Sequence, residues 1–297
     1  MGFFFRRKRK VKNMNKNKYK LGLALGGGGA RGFAHIGVLK AFEEEGIIFD
    51  EVSGTSAGSI VAALYAYGLT ATEMENVAKT IRPKDIKKGL FFMPSETDGI
   101  ENIIKGAVGD VHFDELKLPF TAVAVDLITG KEVHLRAGNV AKSVAASCAV
   151  PGFFKPVEID TYRLADGGLQ NTIPADVVRK DGCKVVISVD VNHTRGEGTS
   201  STKLLDILSA SLGIVMKSNA VNGKIFSDLV IEPDLKKFKS TSMDGYLEMI
   251  DIGYKEAKKR MPEIKELLGL VKPVGFWSKL FKKNKQQILD EKETLEA

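Results

Sequence analysis

The chain has few of the residues that build disulfide frameworks or metal centres. Its 297 residues include two cysteines, Cys148 and Cys183, and four histidines. Two cysteines set no disulfide framework, and a reducing compartment is the expected environment. Because no spacing of cysteine or histidine is typical of metal ligands, we expect neither a metal nor a cofactor.

Long apolar stretches are also missing. No apolar run reaches the roughly 18 residues that a membrane-spanning helix needs, and the three phenylalanines at residues 3–5 are too few for the core of a signal peptide. The sequence therefore predicts a cytoplasmic protein without a spanning segment.

Acidic residues are missing from residues 1–20, which contain nine lysines and arginines. Subtracting those nine from the net charge of +7 leaves the rest of the chain at −2, so the basicity belongs to one end. Basic residues beside aromatic ones are typical of membrane-surface segments, at about 1 kcal/mol per basic residue on anionic lipid. We expect peripheral contact with an anionic membrane through residues 3–10 and 276–283. A disordered, solubilising terminus is the alternative.

Nucleic acid binding is not expected, because no recognition motif accompanies the basic charge. The sequence makes no prediction of oligomeric state.

Strand-like and helix-like patterns alternate up to about residue 234, which is typical of one α/β domain. A hairpin turn at residues 129–131 indicates that the sheet is mixed. We divide the chain into a basic flexible tail (1–18), a catalytic domain (19–235) and a helical C-terminal extension (236–297). Strands are predicted at 21–25, 47–52, 120–127, 132–135, 162–166, 185–191 and 228–232. Helices are predicted at 33–45, 59–67, 72–81, 100–108, 140–147 and 244–270.

Glycine is abundant, and two glycine motifs carry the chemistry: GGGARG at residues 27–32 and GTSAG at residues 54–58. The second motif is a G-x-S-x-G sequence, in which Ser56 occupies a tight strand-to-helix turn with its hydroxyl exposed. The first supplies backbone N–H groups at a helix start, which suits negative charge. Together they indicate a nucleophile beside an anion cradle, as acyl transfer requires.

A dinucleotide-binding loop is the alternative interpretation of the first motif. That fingerprint requires an acidic residue at the end of the second strand, where this chain has Ser53 and Gly54. No G-K-[ST] follows either, which disfavours a phosphate-binding P-loop. A nucleotide-binding module remains a rival hypothesis.

Two residues are candidates for the base that activates Ser56. Asp166 ends a short predicted strand and precedes Gly167 and Gly168, which let the backbone turn sharply. His193 follows the strand at 185–191, in the chain order of an α/β-hydrolase triad. Asp166 is the better candidate and His193 the second.

The order G-G-G-x-R-G, G-T-S-A-G, D-G-G resembles the patatin-like phospholipase family in its small bacterial form, over about residues 20–234. Residues 33–39 and 145–154 agree with the resemblance. It implies a three-layer α/β/α fold with a mixed, mostly parallel sheet, and cleavage of lipid acyl esters without a metal. It further implies a Ser56–Asp166 dyad, with oxyanion-hole N–H groups from Gly27, Gly28 and Gly29. The supporting motif residues are Arg31, Gly32, Gly54, Gly58, Gly167 and Gly168.

An aspartate base is chemically coherent if it is buried, since burial raises a carboxyl pKa from its ordinary value near 3.9. For Arg31 the sequence leaves three roles open: steadying the glycine motif, binding a lipid phosphate, or simple solvation. We expect a serine lipid acyl hydrolase (a phospholipase or esterase). The alternatives are a non-catalytic membrane-associated regulatory protein on the same fold and an acyltransferase.

Overall fold

The structure is a computed structural model that describes residues 20–82, 95–193 and 201–270. The predicted tail (1–18) and the segment 276–283 lie outside the described residues. The remaining predictions can be compared with the structure.

Within the described residues, eight strands form one sheet: β1 (Leu21–Leu25), β2 (Glu51–Thr55), β3 (Phe120–Asp126), β4 (Glu132–Leu135), β5 (Val157–Ile159), β6 (Tyr162–Asp166), β7 (Val185–Val189) and β8 (Leu229–Ile231). Their order in the sheet is β5-β6-β3-β2-β1-β7-β8, and β4 pairs with β3. Strands β1, β2, β3, β7 and β8 run parallel, whereas β4 and β6 run antiparallel to β3. The predicted mixed, mostly parallel sheet is confirmed.

Helices cover both faces of this sheet. They are α1 (Phe33–Glu44), α2 (Ala57–Tyr67), α3 (Ala71–Thr80), α4 (Asp98–Val108), α5 (Val140–Ser147), α6 (Ala175–Lys180), α7 (Leu204–Ile225) and α8 (Tyr246–Leu267). The central strand β1 shows why two helical layers are needed. Leu21, Leu23 and Leu25 lie in a large core shared with α1, α2 and α8, whereas Ala24 lies in a smaller core shared with α6 and α7. Successive strand residues point to opposite faces, so the fold has three layers.

The second strand lies further along the chain than predicted. The sequence predicts residues 47–52, whereas β2 covers Glu51–Thr55. The reason is that the Asp50 carboxylate accepts a hydrogen bond from the Leu21 N–H at 2.7 Å just before the ladder begins. At its other end β2 stays paired with β1 as far as Gly54 and with β3 as far as Thr55, so it ends directly before Ser56.

Helix α7 is absent from the sequence-based predictions. Between residues 204 and 216 it contains a single charged residue, Asp206, so the alternation of polar and apolar faces that identifies a surface helix is missing. The predicted C-terminal helix is present as α8. Met249, Ala257 and Ile264 of α8 lie in the same core as α1.

Candidate active site

Ser56 occupies the corner between β2 and α2, with φ 51° and ψ −127°. This is the left-handed region, which is strained for a residue with a side chain. The corner is held by hydrogen bonds: the Ser56 N–H donates to Ser147 Oγ at 2.9 Å, Ser147 Oγ donates to the Val123 carbonyl at 2.6 Å, and Ser59 Oγ donates to the Ser56 carbonyl at 2.7 Å.

Two glycines allow the backbone to make this corner. A Cβ on Gly54 would lie 2.6 Å from the carbonyl oxygen of Gly58, and a Cβ on Gly58 would lie 2.1 Å from that of Leu25. Both distances are below van der Waals contact, so α2 packs this closely on the sheet only because side chains are absent there.

The strand register brings Asp166 to Ser56. Thr55, the last residue of β2, is paired with Val123 of β3, and the next residue of β3, Ala124, is paired with Asp166 of β6. Because β4 occupies the other edge of β3 at Ala124, β6 must continue along the edge where β2 stops. Asp166 therefore follows directly beyond the end of β2, where Ser56 lies.

The Asp166 carboxyl is fully buried and only partly hydrogen-bonded. Its Oδ1 accepts a hydrogen bond from the Gly168 N–H at 2.8 Å, whereas Oδ2 has no partner of ordinary geometry among the described residues. Burial raises the pKa of Asp166 to about 6, although the nearby Ser56 hydroxyl and the Gly168 N–H both favour the charged form and lower it. Gly167 is confined as well, since a Cβ there would lie 2.3 Å from the Val123 carbonyl oxygen.

The glycine loop (residues 26–32) passes next to the nucleophile, because a Cβ on Gly27 would lie 3.3 Å from Ser56 Cβ. The Gly27 N–H already donates to the Thr172 carbonyl at 3.0 Å. This N–H is therefore already occupied in the structure, and the oxyanion-hole role of the three glycines stays a prediction. Within the described residues, the N–H groups of Gly28 and Gly29 donate to no protein acceptor. Gly29 has φ +56° and approaches Ser240, which also requires glycine.

Arg31 stabilises the glycine loop through buried hydrogen bonds. It is 5% exposed, its Nε and Nη2 donate to the Phe238 carbonyl at 3.0 and 2.8 Å, and its Nη1 donates to Asn192 Oδ1 at 3.1 Å. Asn192 Nδ2 in turn donates to the Gly27 carbonyl at 2.9 Å. Of the three roles that the sequence leaves open, solvation is wrong and steadying the loop matches these contacts. A Cβ on Gly32 would lie 2.6 Å from Ala57 Cβ, so loop and corner pack directly together.

Ser147 and Asn192 are site residues that the sequence analysis missed. Ser147 acts on a partner 91 residues away and Asn192 on one 165 residues away, and neither belongs to a motif. The segment 145–154 contains Ser147 and was the available signal.

His35 bonds to the glycine loop, and His193 lies beyond a neighbouring strand. His35 is fully buried, donates from Nε2 to the Gly26 carbonyl at 2.8 Å, and burial lowers its pKa to about 4. His193 follows β7, which is two strands from β2, or roughly 10 Å across the sheet. Within the described residues, the structure records no contact between His193 and Ser56.

Cys148 lies beside the nucleophile, with Sγ 3.9 Å from Ser59 Oγ. Burial raises the pKa of this thiol far above its ordinary range, so the thiol stays protonated and unreactive. Cys148 therefore behaves as a small buried apolar residue.

A cavity of about 700 Å³ opens onto Ser56, Gly28 and Gly29. This volume lies in the usual range for ligand pockets, about 300–1,000 Å³. Apart from the glycine loop, most of the described residues that line it are apolar. They include Phe33, Ile36, Ile60, Val61, Leu64, Met74, Val77, Ile81, Ile100, Ile103, Val150, Phe153, Phe154, Leu212 and Met216.

The described ranges contain no cluster of histidine, cysteine or carboxylate side chains suited to a metal ion. In the same part of the chain, no helix combines the length and the apolar character needed to cross a bilayer.

Comparison with known proteins identifies the family. The family model for patatin-like phospholipases matches residues 23–179, slightly more than half of the chain. The chain belongs to the patatin-like phospholipase family. The resemblance that the three motifs carry is thus confirmed, and the matched range contains both Ser56 and Asp166.

Individual relatives are much longer than this chain. An uncharacterised NTE-family protein of Mycobacterium tuberculosis is 36% identical over 170 residues, which are 56% of this chain and 29% of the relative. The patatin-like phospholipase domain-containing protein 6 of Mus musculus is 30% identical over 268 residues, which are 77% of this chain and 20% of the relative. The chain therefore spans less than a third of either relative.

Among solved structures, VipD from Legionella pneumophila has a similar fold, with a TM-score of 0.53 over 85% of this chain and 67% of that chain. Its sequence is 12% identical, so the likeness concerns the fold alone. It agrees with the three-layer α/β/α architecture.

Proposed function

We propose that this protein is a serine lipid acyl hydrolase in which Ser56 is the nucleophile and Asp166 the base. The observation that carries the proposal is the buried, half-partnered carboxyl of Asp166 beside the strained Ser56 corner. Ser56 lines an apolar cavity that suits an acyl chain. Family membership supports the lipid substrate class.

The first half-reaction forms an acyl-enzyme. Asp166 accepts the hydroxyl proton of Ser56 as Oγ attacks the ester carbonyl carbon, and the carbonyl electron pair moves to oxygen. The N–H groups of Gly28 and Gly29 donate to this oxyanion, and each such donor contributes about 3–4 kcal/mol. When the carbonyl reforms, the C–O bond breaks and the leaving alcohol takes the proton from Asp166.

The second half-reaction releases the fatty acid. Asp166 accepts a proton from water as the water oxygen attacks the acyl carbon, and the proton then returns to Ser56 Oγ as the serine ester bond breaks. An aspartate with a pKa near 6 is unprotonated at neutral pH and still basic enough for this transfer, because a base works best with a pKa close to the working pH.

Ser56→Ala tests this proposal. Alanine fits the same corner, so we expect a folded protein that has lost hydrolysis of a short-chain nitrophenyl ester and labelling by a fluorophosphonate probe. Ser211→Ala is the matched control, because Ser211 is exposed on α7 and its hydroxyl donates to the Ile207 carbonyl at 2.9 Å.

Near wild-type hydrolysis by Ser56→Ala would refute the assignment of the nucleophile. A wild-type protein that neither hydrolyses the ester nor takes the label would indicate the non-catalytic alternative. Acyl transfer to an added alcohol in preference to water would indicate the acyltransferase.

A further inference from the structure

Helix α7 connects β7 to β8 and extends well past the sheet. A helix of 22 residues is about 33 Å long, whereas the five residues of β7 span about 17 Å. Since α7 ends close to the start of β8, its first half must project beyond the carboxyl edge of the sheet. That edge contains Ser56 and Asp166.

The inner face of α7 belongs to the site. Leu212 and Met216 line the cavity. Asn219 Nδ2 donates to the carbonyls of Gly168 and Leu169 at 3.1 and 2.8 Å, in the turn that follows Asp166. The helix is thus anchored to the catalytic loop at Asn219, the sixteenth of its 22 residues, and about four turns precede that anchor.

The outer face of this projecting half has four exposed apolar side chains, with the small Ser211 among them. The exposed fractions are 78% for Leu204, 45% for Ile207, 52% for Ile214 and 40% for Val215. At about 100° per residue, these four side chains share one side of the helix, and Leu212 and Met216 lie on another. We call them the α7 stripe. Apolar surface of this kind is typical of an interaction site.

A second exposed apolar group lies at the same edge. Leu127 and Ile128, in the turn after β3, are exposed. This turn contacts the catalytic loop, because Gln170 Nε2 donates to the Gly130 carbonyl at 3.1 Å. Exposed apolar side chains thus lie on both sides of the loop that holds Asp166.

We propose that the α7 stripe docks onto a lipid bilayer and that acyl chains pass from the bilayer along α7 into the cavity. This proposal rests on the proposed function, because a lipid substrate has its acyl chain in the bilayer before it reaches Ser56. The helix offers a continuous apolar path, with Ile214 and Val215 outside and Leu212 and Met216 inside. Residues 204–216 contain a single charged side chain. This low charge favours insertion among acyl chains, because burying a charge in a bilayer costs free energy.

The test is vesicle co-sedimentation of the full-length chain and of Ile207→Gln/Ile214→Gln, with vesicles of phosphatidylcholine with and without phosphatidylglycerol. We expect the affinity of the double variant for vesicles to fall at least about tenfold, because each isoleucine loses the gain from apolar burial. Wild-type binding through the stripe should persist at about 1 M salt, where the Debye length is about 3 Å. Hydrolysis of a soluble ester should be unchanged, since neither side chain lines the cavity.

Ile48→Gln is the matched control. Ile48 is 39% exposed but precedes β2, at the opposite edge of the sheet, so its substitution should leave vesicle binding unchanged. Thermal melting of all variants checks that they fold.

Three outcomes would overturn the proposal: unchanged vesicle binding by the double variant, an equal loss in Ile48→Gln, or a wild-type dimer that the double variant converts to a monomer. The last result would show that the stripe covers a second copy of the chain. If the wild-type protein binds vesicles through the stripe but hydrolyses no ester, the proposed function fails while the docking surface stands.

Discussion

At the scale of single residues, the site combines two features that lower the stability of the folded state. Ser56 has a strained backbone, and Asp166 places a carboxyl out of contact with water. Strained backbones and perturbed pKa values cluster at functional sites. Both features are also local in effect, so single substitutions can test them.

The pKa of Asp166 predicts a pH dependence. A base must be unprotonated, so kcat/KM for a soluble ester should rise with pH through about 6 and then level off. The same profile should appear in His193→Ala, because that histidine makes no recorded contact with Ser56. A flat profile between about pH 5 and 8 would contradict an aspartate base, and a large loss of activity in His193→Ala would indicate a histidine triad instead.

Asp166→Asn extends this test to stability. The folded-state pKa of about 6 exceeds the unfolded value, so ionised Asp166 lowers the free energy of unfolding by about 3 kcal/mol above pH 6. That penalty disappears as the pH falls below about 4. Asp166→Asn should therefore abolish activity and yet raise the free energy of unfolding at pH 8. Urea denaturation of the wild-type protein and of Asp166→Asn measures the free energy of unfolding at pH 8 and at pH 4. An equal difference between the two proteins at both pH values would contradict a buried carboxylate.

At the scale of elements, α1 and α8 pack in unusually close contact. A Cβ on Gly253 of α8 would lie 2.1 Å from the Ala34 carbonyl oxygen, and a Cβ on Gly37 of α1 would lie 1.8 Å from that of Ile250. These atoms are backbone, so neither helix can yield without moving as a whole. Helix α1 begins directly after the glycine loop. Its packing against α8 therefore also holds the loop in place.

Gly253→Ala should lower the free energy of unfolding by more than about 3 kcal/mol, because the added methyl group forces the two helices apart. Gly106→Ala is the matched control. Gly106 is also inside a helix, but a Cβ there meets nothing within 4 Å, so alanine should stabilise by about 0.5–1 kcal/mol. Chemical denaturation of both variants decides; similar effects in the two would show that the α1–α8 contact is not tight.

At the scale of the whole molecule, charge and chemistry are separated along the chain. Residues 1–20 carry nine basic residues, while the proposed chemistry lies within residues 27–168. The α7 stripe is apolar and lies beside the cavity. The two regions would therefore act on a membrane by different forces, one sensitive to salt and one not.

Deletion of residues 1–18 should leave hydrolysis of a soluble ester unchanged and weaken binding to anionic vesicles. The difference between the full-length and truncated proteins should shrink at high salt, because screening shortens the reach of the basic residues. Co-sedimentation at about 0.1 M and 1 M salt measures this. Equal binding by both proteins would leave the tail without a role in membrane contact, and residues 276–283 would need a separate deletion.

The sequence by itself determined the parts of this protein that depend on neighbouring residues. Strand β1, the corner at Ser56 and the turn after Asp166 follow from apolar runs and from glycines within a few positions, because steric limits on the backbone act locally. The order of the three motifs was enough to indicate the family.

Only the tertiary structure decided the features that depend on distant partners. The bounds of β2, the burial of Arg31, the hydrogen bond that occupies the Gly27 N–H, and the role of Ser147 all rest on contacts between segments far apart in the chain. Helix α7 escaped prediction because its two faces are both apolar, one against the site and one exposed. Sequence periodicity detects a helix when one face is apolar and the other polar. The packing of the whole chain decides what each face contacts.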